Sequence, residues 1–400
     1  MIRILKKYLY HLPKAIFWNT VTKFPHKKLV LIGVTGTDGK TTTCTLIQQT
    51  LQNSGLKVGI ISTISTPGLH TTSPEPKTLM KLFSKFINQS CTHVVCEVTS
   101  HSLDQFRYWG CHFAVSVLTN ISHEHLDYHQ NMEKYMQAKS LLFTQSDAAI
   151  LNRDCEYFNE FSKKINKPFL TYGTKIKSDI RAKNISITDK NLNFTVDKQL
   201  FVTDSNYHYQ LYNILAALAV CRHLKIADKF LINTIKKFPN TAGRRQEVEN
   251  NYSFRTIIDF AHTPNALLQT LTSLRSTTKG KLICIFGATG GRDKSKRPIM
   301  GQVVSKNSDI GIVTADDTRN ENVVDINKQI ISGFDKSSTY YDIPNRQDAF
   351  NLAVKLAKAG DTIIACGKGH ETSILHGKTE YPWSESDAFK TAFRIKEQNV

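Results

Sequence analysis

A glycine-rich turn is the part of the sequence whose residues could most directly do chemistry. It follows an apolar run, Leu29–Val34, and its residues are Gly36, Thr37, Asp38, Gly39, Lys40, Thr41 and Thr42. Glycines let backbone N–H groups approach phosphate oxygens, a helix start adds its positive dipole end, and Lys and Thr can serve terminal phosphates and Mg²⁺. The spacing differs from the general phosphate-loop pattern, whose first glycine would fall on Val34. We expect nucleotide binding here rather than a structural glycine turn.

Further motifs follow this turn along the chain. Gly36–Thr41 resembles the ATP loop of the Mur ligases, which are ATP-dependent amino-acid ligases of peptidoglycan synthesis and more often carry Asn where Asp38 stands. The other matching segments are Glu97–Leu103, Gln105, Arg107, Thr119-Asn120, His125–His129, Ala138-Lys139, Gly243-Arg244, Asp259–Pro264, Gly290–Pro298, Asp316–Arg319 and Gly367–Glu371. Together they look most like the tripeptide-synthetase (MurE) type of the family, and the resemblance covers residues 29–385.

The resemblance implies a ligase that forms an amide bond through an acyl phosphate. ATP phosphorylates a carboxylate of the acceptor, and the amine of an amino acid then displaces the phosphate. Because two anions meet in the first step, Mg²⁺ and cationic side chains must offset their repulsion. Catalytic roles are implied for Lys40, Glu97, His125 and Lys139. Two Mg²⁺ ions are implied, with ligands from Thr41, Glu97, His125 and Lys139.

Lys139 matches a lysine of the family that is carbamylated by CO₂, which would turn a cation into an anionic oxygen donor. By default, a lysine on the predicted helix Met132–Leu142 would be solvated. Outside the glycine-rich turn, the resemblance implies nucleotide contacts by Asn120, Asn213, Arg244 and Asp259. The family usually has Gly and Asn where Tyr207 and Gln210 stand, so the adenine contacts near Asn213 stay open.

Polar residues in both halves of the chain resemble the substrate contacts of the family. Those expected to hold the sugar–peptide acceptor are Thr71, Thr72, Thr99, Ser100, Gln105 and Arg107. Their hydroxyl, amide and guanidinium groups suit an anionic phosphosugar. Those expected to meet the incoming amino acid are Asp316, Asp317, Arg319, Gly367 and Glu371.

The added amino acid stays open at this stage. In enzymes that add meso-diaminopimelate, the stretch that matches Asp316–Arg319 reads Asp-Asn-Pro-Arg, and its Arg binds the distal carboxylate. Here Asp317 and Thr318 replace Asn and Pro. The extra acid could weaken a carboxylate site or help to bind a distal ammonium. Diaminopimelate is therefore favoured only modestly over lysine or another diamino acid.

A scaffold of buried parallel strands must position these residues. Apolar runs alternate with helical stretches, which is typical of mostly parallel sheets covered on both faces. The runs are Leu29–Val34, Val58–Ser62, Val94–Val98, Ala114–Leu118, Ala148–Leu151, Thr256–Phe260, Leu282–Phe286, Ile310–Thr314 and Thr362–Cys366. Between the two series, residues 178–204 predict antiparallel strands, and Tyr209–Leu224 and Phe230–Phe238 predict helices. The predicted fold class is α/β, with a P-loop-type ATPase domain at 29–245 and a Rossmann-like domain at 246–400.

Residues 1–28 form a basic extension with seven cations and no Asp or Glu. Its apolar residues have near-helical spacing, at Ile2, Leu5, Leu9, Leu12, Ile16 and Phe17. The extension is either a helix that packs one face on its own domain or an anchor to a membrane surface. It is too short to form the uridine-nucleotide-binding domain of full-length Mur ligases, so we expect that domain to be missing. The acceptor would then be held by the central domain alone, or be a lipid-linked muropeptide.

Composition narrows the class of protein. The chain has 400 residues and a net charge of +18, so two or three globular domains and an anionic partner are expected. No aromatic-basic motif points to nucleic acid. Eight single cysteines without a CxxC pair suggest neither a zinc ribbon nor a disulfide framework. No run approaches the roughly 18 apolar residues that span a bilayer. We expect a cytoplasmic monomer that acts on ATP, a muropeptide and an amino acid.

Two other functions fit parts of the pattern. A relative with another acceptor, of the folylpolyglutamate or cyanophycin type, would also couple an acyl phosphate to an amine. A non-catalytic module that binds nucleotide or wall precursor beside an amidotransferase would not need the intact catalytic set, and such partners of this fold carry a zinc ribbon that is missing here. ATP consumption that requires both an acceptor and an amino acid separates the ligase from the binding module.

Overall fold

The computed structural model describes residues 5–63, 73–188, 191–204, 208–236, 238 and 243–398. Thr71, Thr72 and Tyr207 lie outside the described residues. The chain forms two compact units. Unit 1 comprises Met1–Ser122 and Asn131–Phe238, and unit 2 comprises His123–Gln130 and Pro239–Val400.

A seven-stranded sheet runs through unit 1. Its strands are β1 (Val30–Thr35), β2 (Val58–Ile61), β3 (His93–Glu97), β4 (Phe113–Leu118), β5 (Ser146–Asn152), β6 (Phe169–Gly173) and β7 (Ile180–Arg181). They lie in the order β2-β3-β1-β4-β5-β6-β7, and every neighbouring pair is parallel. The carboxyl ends of β3, β1 and β4 therefore stand side by side, which is where parallel sheets usually bind ligands.

A second, antiparallel sheet in unit 1 contains β8 (Lys183–Ile187), β9 (Leu192–Val196) and β10 (Gln199–Thr203). This confirms the antiparallel strands predicted for residues 178–204, although Ile180–Arg181 joins the large sheet as β7.

A six-stranded sheet runs through unit 2. Its strands are β11 (Gln246–Glu247), β12 (Arg255–Asp259), β13 (Leu282–Phe286), β14 (Ile310–Val313), β15 (Thr339–Asp342) and β16 (Thr362–Cys366). The order is β11-β12-β16-β13-β14-β15, parallel except at β11. A hairpin of β17 (Ser373–His376) and β18 (Thr379–Pro382) follows. Each strand predicted from the two apolar series is present to within two residues at its ends, which confirms the α/β class.

Helices join the strands of both units. The α-helices are α1 (Leu12–Val21), α2 (Lys40–Asn53), α3 (Pro76–Asn88), α4 (Ser100–Asp104), α5 (Leu126–His129), α6 (Met132–Thr144), α7 (Phe158–Ser162), α8 (His208–His223), α9 (Asp228–Lys236), α10 (Pro264–Arg275), α11 (Lys296–Asn307), α12 (Val323–Ile331), α13 (Arg346–Leu356) and α14 (Glu385–Gln398). The predicted helices at Tyr209–Leu224 and Phe230–Phe238 are confirmed as α8 and α9, each displaced by one or two residues.

The core of unit 1 explains why α8 carries so few polar residues. Residues 214–221, Ile-Leu-Ala-Ala-Leu-Ala-Val-Cys, are all fully buried, because α8 packs against α2 and the large sheet. A helix that is apolar on all sides is stable only when it is enclosed in this way. The core of unit 2 lies in two layers, in which Phe350 and Phe389 belong to one cluster and Leu271 and Met300 to the other.

The amino-terminal segment is helical, but its apolar stripe does not face the core. A π-helical turn, Lys7–His11, leads into α1, and Pro25–Lys28 forms a 3₁₀ turn. The buried residues of α1 are Ala15 and Asn19, whereas the predicted apolar positions that are exposed are Leu5, Leu9, Ile16 and Phe17. Within the described residues, no helix combines the length and hydropathy that crossing a membrane requires.

Candidate active site

The glycine-rich turn follows β1 at the centre of the large sheet. A Cβ atom at Gly36 would lie 1.8 Å from Thr119 Oγ1, and one at Gly39 would lie 2.4 Å from Asn213 Oδ1. Gly39 also has a φ of +79° and directly precedes α2. Only glycine fits these two positions, because the turn passes so close to its neighbours. The first N–H groups of α2 therefore lie at the turn, which is the arrangement of a phosphate-binding loop.

Residues just past β4 hold the backbone of the turn. Thr119 Oγ1 donates to Asp38 O (2.7 Å), and Asn120 Nδ2 donates to the same oxygen (3.1 Å). Asn120 Oδ1 accepts from Asp38 N (2.9 Å), and Asn120 O accepts from Thr37 N (2.9 Å). The side chain of Asn120, which was predicted to contact the nucleotide, is therefore engaged in shaping the phosphate loop.

Lys40 and Thr41 begin α2 and lie against different partners. Lys40 Nζ donates to Thr37 O (2.8 Å), so this lysine folds back over the turn. Thr41 Oγ1 donates to Glu97 Oε2 (3.0 Å), and Glu97 is a buried carboxylate at the end of β3. Thr63, two residues past β2, donates to the same carboxylate oxygen through its backbone N (3.2 Å). A hydroxyl and a carboxylate are thus held together beside the phosphate loop.

Lys139 lies beneath the turn. Its side chain is 1% exposed, and Nζ donates to Gly36 O (2.8 Å) and lies 4.6 Å from the centre of the Tyr135 ring. The Tyr135 hydroxyl is in turn 3.1 Å from Thr37 Oγ1. The default expectation of a solvated lysine on this helix is therefore wrong, because α6 turns Lys139 inward against the loop.

The predicted adenine-side residue Asn213 lies on α8 behind the turn. Thr43 Oγ1 donates to Asn213 Oδ1 (3.3 Å), and Asn213 Nδ2 donates to Gln210 Oε1 (3.3 Å). Gln210, where the chain departs from the family pattern, is thus a buried partner of Asn213. Thr42 is also buried in the first turn of α2.

Thr99 and Ser100, predicted to hold the acceptor, begin α4 just past β3. Thr99 Oγ1 caps the helix by accepting from Ser102 N (3.2 Å). Ser73 Oγ accepts from Thr99 N (3.2 Å) and donates to Glu97 O (3.0 Å). Ser100 is buried. The start of α4 is therefore fixed to the segment at Ser73 and to the strand that carries Glu97.

Gln105 and Arg107 lie against the same segment. Arg107 Nη1 donates to Ser73 O (2.5 Å), and Nη2 donates to Gln105 Oε1 (2.8 Å). Arg107 Nη2 also pairs with Glu75 Oε1 (3.0 Å), whose other oxygen pairs with Lys14 of α1 (3.0 Å). Burial would raise the pKa of Glu75, but the hydrogen bond from Lys14 and the charge of Arg107 hold it below its usual value.

In unit 2, Asp259 ends β12 and is buried. Its carboxylate accepts from Arg245 N (2.9 Å) and Ala261 N (2.8 Å). Burial raises the pKa of Asp259, although the charges of Arg244 and Arg245 oppose this. The guanidinium of Arg244 lies 4.7 Å from the centre of the Phe260 ring and is partly exposed, whereas Arg245 is buried. Of the two arginines, Arg244 is the one whose charge a ligand can reach.

Asp317, Lys368 and Glu371 form an ion-pair chain near the carboxyl ends of β14 and β16. Lys368 Nζ donates to Asp317 Oδ1 (2.8 Å) and lies 2.5 Å from Glu371 Oε2. Asp317 Oδ1 also accepts from Leu375 N (2.9 Å). Burial raises the pKa of Glu371 despite the nearby Lys368 charge. Asp317, whose extra negative charge left the choice of amino acid open, is therefore paired with Lys368, which it shares with Glu371.

Asp316 and Gly367 meet at the same edge of the sheet. A Cβ at Gly367 would lie 2.7 Å from Asp316 Oδ2, so these strand ends approach closely. Burial would raise the pKa of Asp316, but the charges of Lys368 and Arg346 outweigh it and lower the pKa. Asp316 is thus an ionised carboxylate in a buried position.

Arg319 has a strained backbone and an unsatisfied side chain. Its φ is +50°, and its backbone is fixed to the hairpin by Arg319 N donating to Leu375 O (3.2 Å) and Gly377 N donating to Arg319 O (2.7 Å). Arg319 Nε is buried without a hydrogen-bond partner among the described residues. Burial and the charge of Arg319 lower the pKa of Arg292. Two guanidinium groups in this position favour an anionic ligand.

The loop that carries His125 belongs to unit 2, and a residue missed by the sequence analysis holds it there. Glu124 is buried and accepts from Lys296 Nζ (3.0 Å), which also donates to His262 O (3.0 Å). Leu126 N donates to Asp293 Oδ2 (3.1 Å). His125 itself has a φ of +59°, and its side chain is one-third exposed. In the sequence, the available signal was an acid within a His-rich run.

Lys296 and Arg297 lie in the segment Gly290–Pro298, which resembles a motif of the family, and both are buried. Lys296 is paired with Glu124, and Arg297 donates to Glu321 from Nη1 (2.9 Å) and Nη2 (3.1 Å). These hydrogen bonds from Arg297 lower the pKa of Glu321 to about 2.

The residues fit Mg²⁺ bound with a nucleotide rather than a metal held by protein alone. No group of three or more His, Cys, Asp or Glu side chains suited to a metal occurs within the described ranges. Thr41 and Glu97 offer one hydroxyl and one carboxylate. Mg²⁺ is commonly bound by one or two such ligands plus substrate phosphates and water. Thr41 and Glu97 would therefore hold Mg²⁺ against the phosphates that the loop binds.

Family models match most of both units. The Mur ligase middle domain matches residues 34–221, and the Mur ligase, glutamate ligase domain matches residues 243–369. The chain is 38% identical over 368 residues to UDP-N-acetylmuramoyl-L-alanyl-D-glutamate–2,6-diaminopimelate ligase 1 of Clostridium acetobutylicum, covering 89% of this chain and 76% of that protein. It is 36% identical over 387 residues to the corresponding ligase of Bacillus cereus, covering 92% and 79%.

Solved structures agree with these matches. A UDP-N-acetylmuramoyl-L-alanyl-D-glutamate–2,6-diaminopimelate ligase has a TM-score of 0.63 and 26% identity, over 96% of this chain and 83% of that one. The folylpolyglutamate synthase of Mycobacterium tuberculosis shares the fold at a TM-score of 0.71 and 14% identity, over 89% of this chain and 92% of that one. The chain belongs to the Mur ligase family of ATP-dependent, amide-bond-forming ligases.

Proposed function

We propose that this protein adds a diamino acid, diaminopimelate, to a muramoyl-peptide acceptor in peptidoglycan precursor synthesis. The observation that carries the proposal is the contact of Thr41 Oγ1 with Glu97 Oε2 beside the glycine-rich turn. This contact supports the proposal because a hydroxyl and a carboxylate beside the loop suit Mg²⁺ that is bound together with nucleotide phosphates. The curated relatives at 38% and 36% identity are both named as ligases of 2,6-diaminopimelate.

The reaction has two steps that balance in atoms and charge. A carboxylate oxygen of the acceptor attacks the γ-phosphorus of ATP, and ADP leaves. The amine nitrogen of the amino acid then attacks the acyl carbon, loses a proton, and inorganic phosphate leaves. Bound Mg²⁺, two ions in this proposal, supplies charge neutralisation in the first step.

The residues of unit 1 would serve the first step. Gly36–Thr42 binds the phosphates through backbone N–H groups, and Lys40 neutralises their charge. Thr41 and Glu97 hold one Mg²⁺. Lys139 lies beneath the loop, and we propose that CO₂ carbamylates it, so that it offers anionic oxygens to the second Mg²⁺. In unit 2, we propose His125 as a metal ligand. We propose further nucleotide contacts by Asn120 and Asn213 in unit 1 and by Arg244 and Asp259 in unit 2.

The acceptor and the amino acid would be bound by separate sets of residues. The acceptor set is Thr71, Thr72, Thr99, Ser100, Gln105 and Arg107. The amino-acid set is Asp316, Asp317, Arg319, Gly367 and Glu371. Diaminopimelate is favoured over lysine because Asp317 is already paired with Lys368, while Arg319 Nε has no partner in the described chain. Diaminopimelate carries a carboxylate beside its distal ammonium, and that carboxylate would satisfy Arg319, whereas lysine offers only an ammonium at that end.

The proposal also covers the domain division, the oligomeric state and the location of the protein. The functional division is an extension at 1–28, an ATP-binding domain at 29–245 and a carboxyl-terminal domain at 246–400. The protein acts as a cytoplasmic monomer, and the extension contacts a membrane surface. The basic composition of the extension supports the membrane contact, and small-molecule substrates are compatible with a cytoplasmic monomer.

Release of inorganic phosphate over a panel of muropeptides and diamino acids tests this function. We expect ATP hydrolysis only when acceptor, diaminopimelate and Mg²⁺ are all present. Arg319→Lys should raise the KM for diaminopimelate by about 10- to 100-fold, because a bidentate, charge-assisted contact to a carboxylate is lost. Activity with lysine equal to that with diaminopimelate would contradict the assigned amino acid. ATP turnover without any acceptor would contradict the ligase.

A further inference from the structure

The helix α1 exposes a continuous apolar face. The outward residues follow the i, i+3, i+4, i+7, i+8 spacing of one helix face and are Pro13, Ile16, Phe17, Thr20 and Val21. Phe17 is 57% exposed and Val21 is 55% exposed. The preceding π-helical turn adds Leu9, at 70% exposure, and the exposed rings of Tyr8 and Tyr10. We call these eight residues the apolar face.

The opposite side of α1 fixes the helix to unit 1, so the apolar face cannot turn inward. Asn19 is fully buried and its Nδ2 donates to Ala15 O (2.9 Å) and to Trp109 O (3.2 Å). Asn19 Oδ1 lies 3.0 Å from His26 Nε2. Burial lowers the pKa of His26 to about 4, so this histidine is neutral at pH 7. A polar side chain is thus packed inside while aromatic side chains face out.

Ion pairs strengthen this orientation. Lys7 Nζ lies 2.8 Å from Asp104 Oδ1 of α4, and Lys14 Nζ lies 3.0 Å from Glu75 Oε2. Lys77 of α3 lies over the Trp18 ring at 5.0 Å. These contacts hold α1 on unit 1. Lys7 Nζ also lies 5.8 Å from the centre of the Tyr8 ring, and Lys14 Nζ lies 5.3 Å from the centre of the Tyr10 ring.

Exposed lysines of the same segment and of the neighbouring helix α3 form what we call the lysine border. The exposed lysines of residues 5–28 are Lys6, Lys23, Lys27 and Lys28, and those of the neighbouring α3 are Lys77, Lys81 and Lys85. Neither residues 5–28 nor Pro76–Asn88 contains an Asp or Glu. The apolar face and the lysine border together suit a bilayer with anionic headgroups. Apolar and aromatic side chains can be buried among the acyl chains, and lysines are attracted to the lipid phosphates.

We propose that the apolar face lies in the surface of an anionic lipid bilayer, with the lysine border on lipid phosphates. This inference rests on the membrane contact proposed above and names the face and the lipid charge that make it. A polyanion such as nucleic acid would meet the lysines but not Leu9, Phe17 and Val21. Lys14 of α1 contacts Glu75, and Lys7 of the preceding turn contacts Asp104, next to the acceptor set, so docking would hold the acceptor-binding residues one helix away from the lipid surface.

Co-sedimentation of the full chain with vesicles tests the inference. Vesicles of phosphatidylcholine with about one-third phosphatidylglycerol should bind the protein, and pure phosphatidylcholine vesicles should bind it at least tenfold less, because the lysine border needs anionic headgroups. Leu9→Ser/Phe17→Ser should lower binding to the anionic vesicles about tenfold or more. Leu200→Ser, at an exposed apolar residue of β10, is the matched control and should bind like the wild type.

Three outcomes decide against the inference. Wild-type protein that stays in the supernatant with anionic vesicles would overturn it, as would a double variant that binds like the wild type. A wild-type dimer that the double variant converts to a monomer, without vesicle binding, would make the face a contact between two copies. Phosphate release with a soluble acceptor should be unchanged in Leu9→Ser/Phe17→Ser, so the result is independent of the proposed ligase activity.

Discussion

At the scale of single residues, Lys139 differs from a solvated surface lysine because it is buried against the phosphate loop. Lys139→Ala should lower ligation by on the order of 100-fold or more, because it removes the only group proposed to offer carbamate oxygens beneath the phosphate loop. Bicarbonate or acetate, which can place a carboxylate in the space left, should restore part of the activity. The measurement is phosphate release with saturating acceptor and diaminopimelate.

Lys134→Ala is the matched control for this experiment. Lys134 lies on the same helix, α6, but is exposed, so its removal should leave turnover within about twofold of wild type. Turnover of Lys139→Ala equal to that of the control would remove Lys139 from the mechanism. Rescue by chloride as well as by bicarbonate would point to a salt effect and against carbamylation.

At the scale of elements, one buried ion pair joins the loop that carries His125 to α11. Lys296→Met should destabilise the protein by about 3–5 kcal/mol, because the Glu124 carboxylate would be left buried without its cation. Adding Glu124→Gln to this variant should recover part of the loss, since no unpaired charge then remains. Urea unfolding followed by circular dichroism measures both changes.

Lys294→Met provides the comparison, since Lys294 precedes Lys296 by two residues and pairs with Glu321 at the surface (3.2 Å). Exposed pairs contribute about 0–1 kcal/mol, so this variant should stay near wild type. Equal destabilisation of the two variants would mean that the buried pair has no special role. A double variant less stable than Lys296→Met would count against the charge argument.

The strands could be predicted from sequence because each central strand is a continuous apolar run. Leu282–Phe286, fully buried on both faces, is an example. Thr339–Asp342 was not predicted, because this edge strand is mostly exposed and lacks such a run. Phe169–Gly173 was missed for the same reason, since its first three residues are not buried.

The candidate site was predictable only where neighbouring strands carry its residues. Thr41 lies in the helix that follows β1, and Glu97 is the last residue of β3. Because β1 and β3 pair directly, the contact of these two residues could be expected from the parallel pattern. Glu124 and Lys296 are 172 residues apart, and no local pattern links them. The orientation of α1 could not be predicted from the sequence either. Helical spacing identifies an apolar stripe but does not show whether protein or another surface covers it.

At the scale of the whole molecule, each unit has its own apolar core, so nucleotide binding should stabilise mainly the unit that holds the phosphate loop. MgATP at 100 times its Kd contributes about 2.7 kcal/mol to the folded state. For a unit of roughly 200 residues this corresponds to an increase in melting temperature of about 5–10 °C. Scanning calorimetry of the full chain should show a larger increase in the transition of unit 1 than in that of unit 2, to which only Arg244 and Asp259 are assigned as nucleotide contacts.

If Thr41 and Glu97 hold the Mg²⁺ that accompanies ATP, the increase in melting temperature should depend on the metal and on the Thr41 hydroxyl. EDTA should remove most of the increase in melting temperature, because the phosphates then lose the cation that those two side chains hold. Thr41→Ala should reduce the increase with MgATP, whereas Thr45→Ala, one turn further along α2, should keep it. An increase that survives both EDTA and Thr41→Ala would mean that ATP binds elsewhere, since neither the metal nor its hydroxyl ligand would then matter.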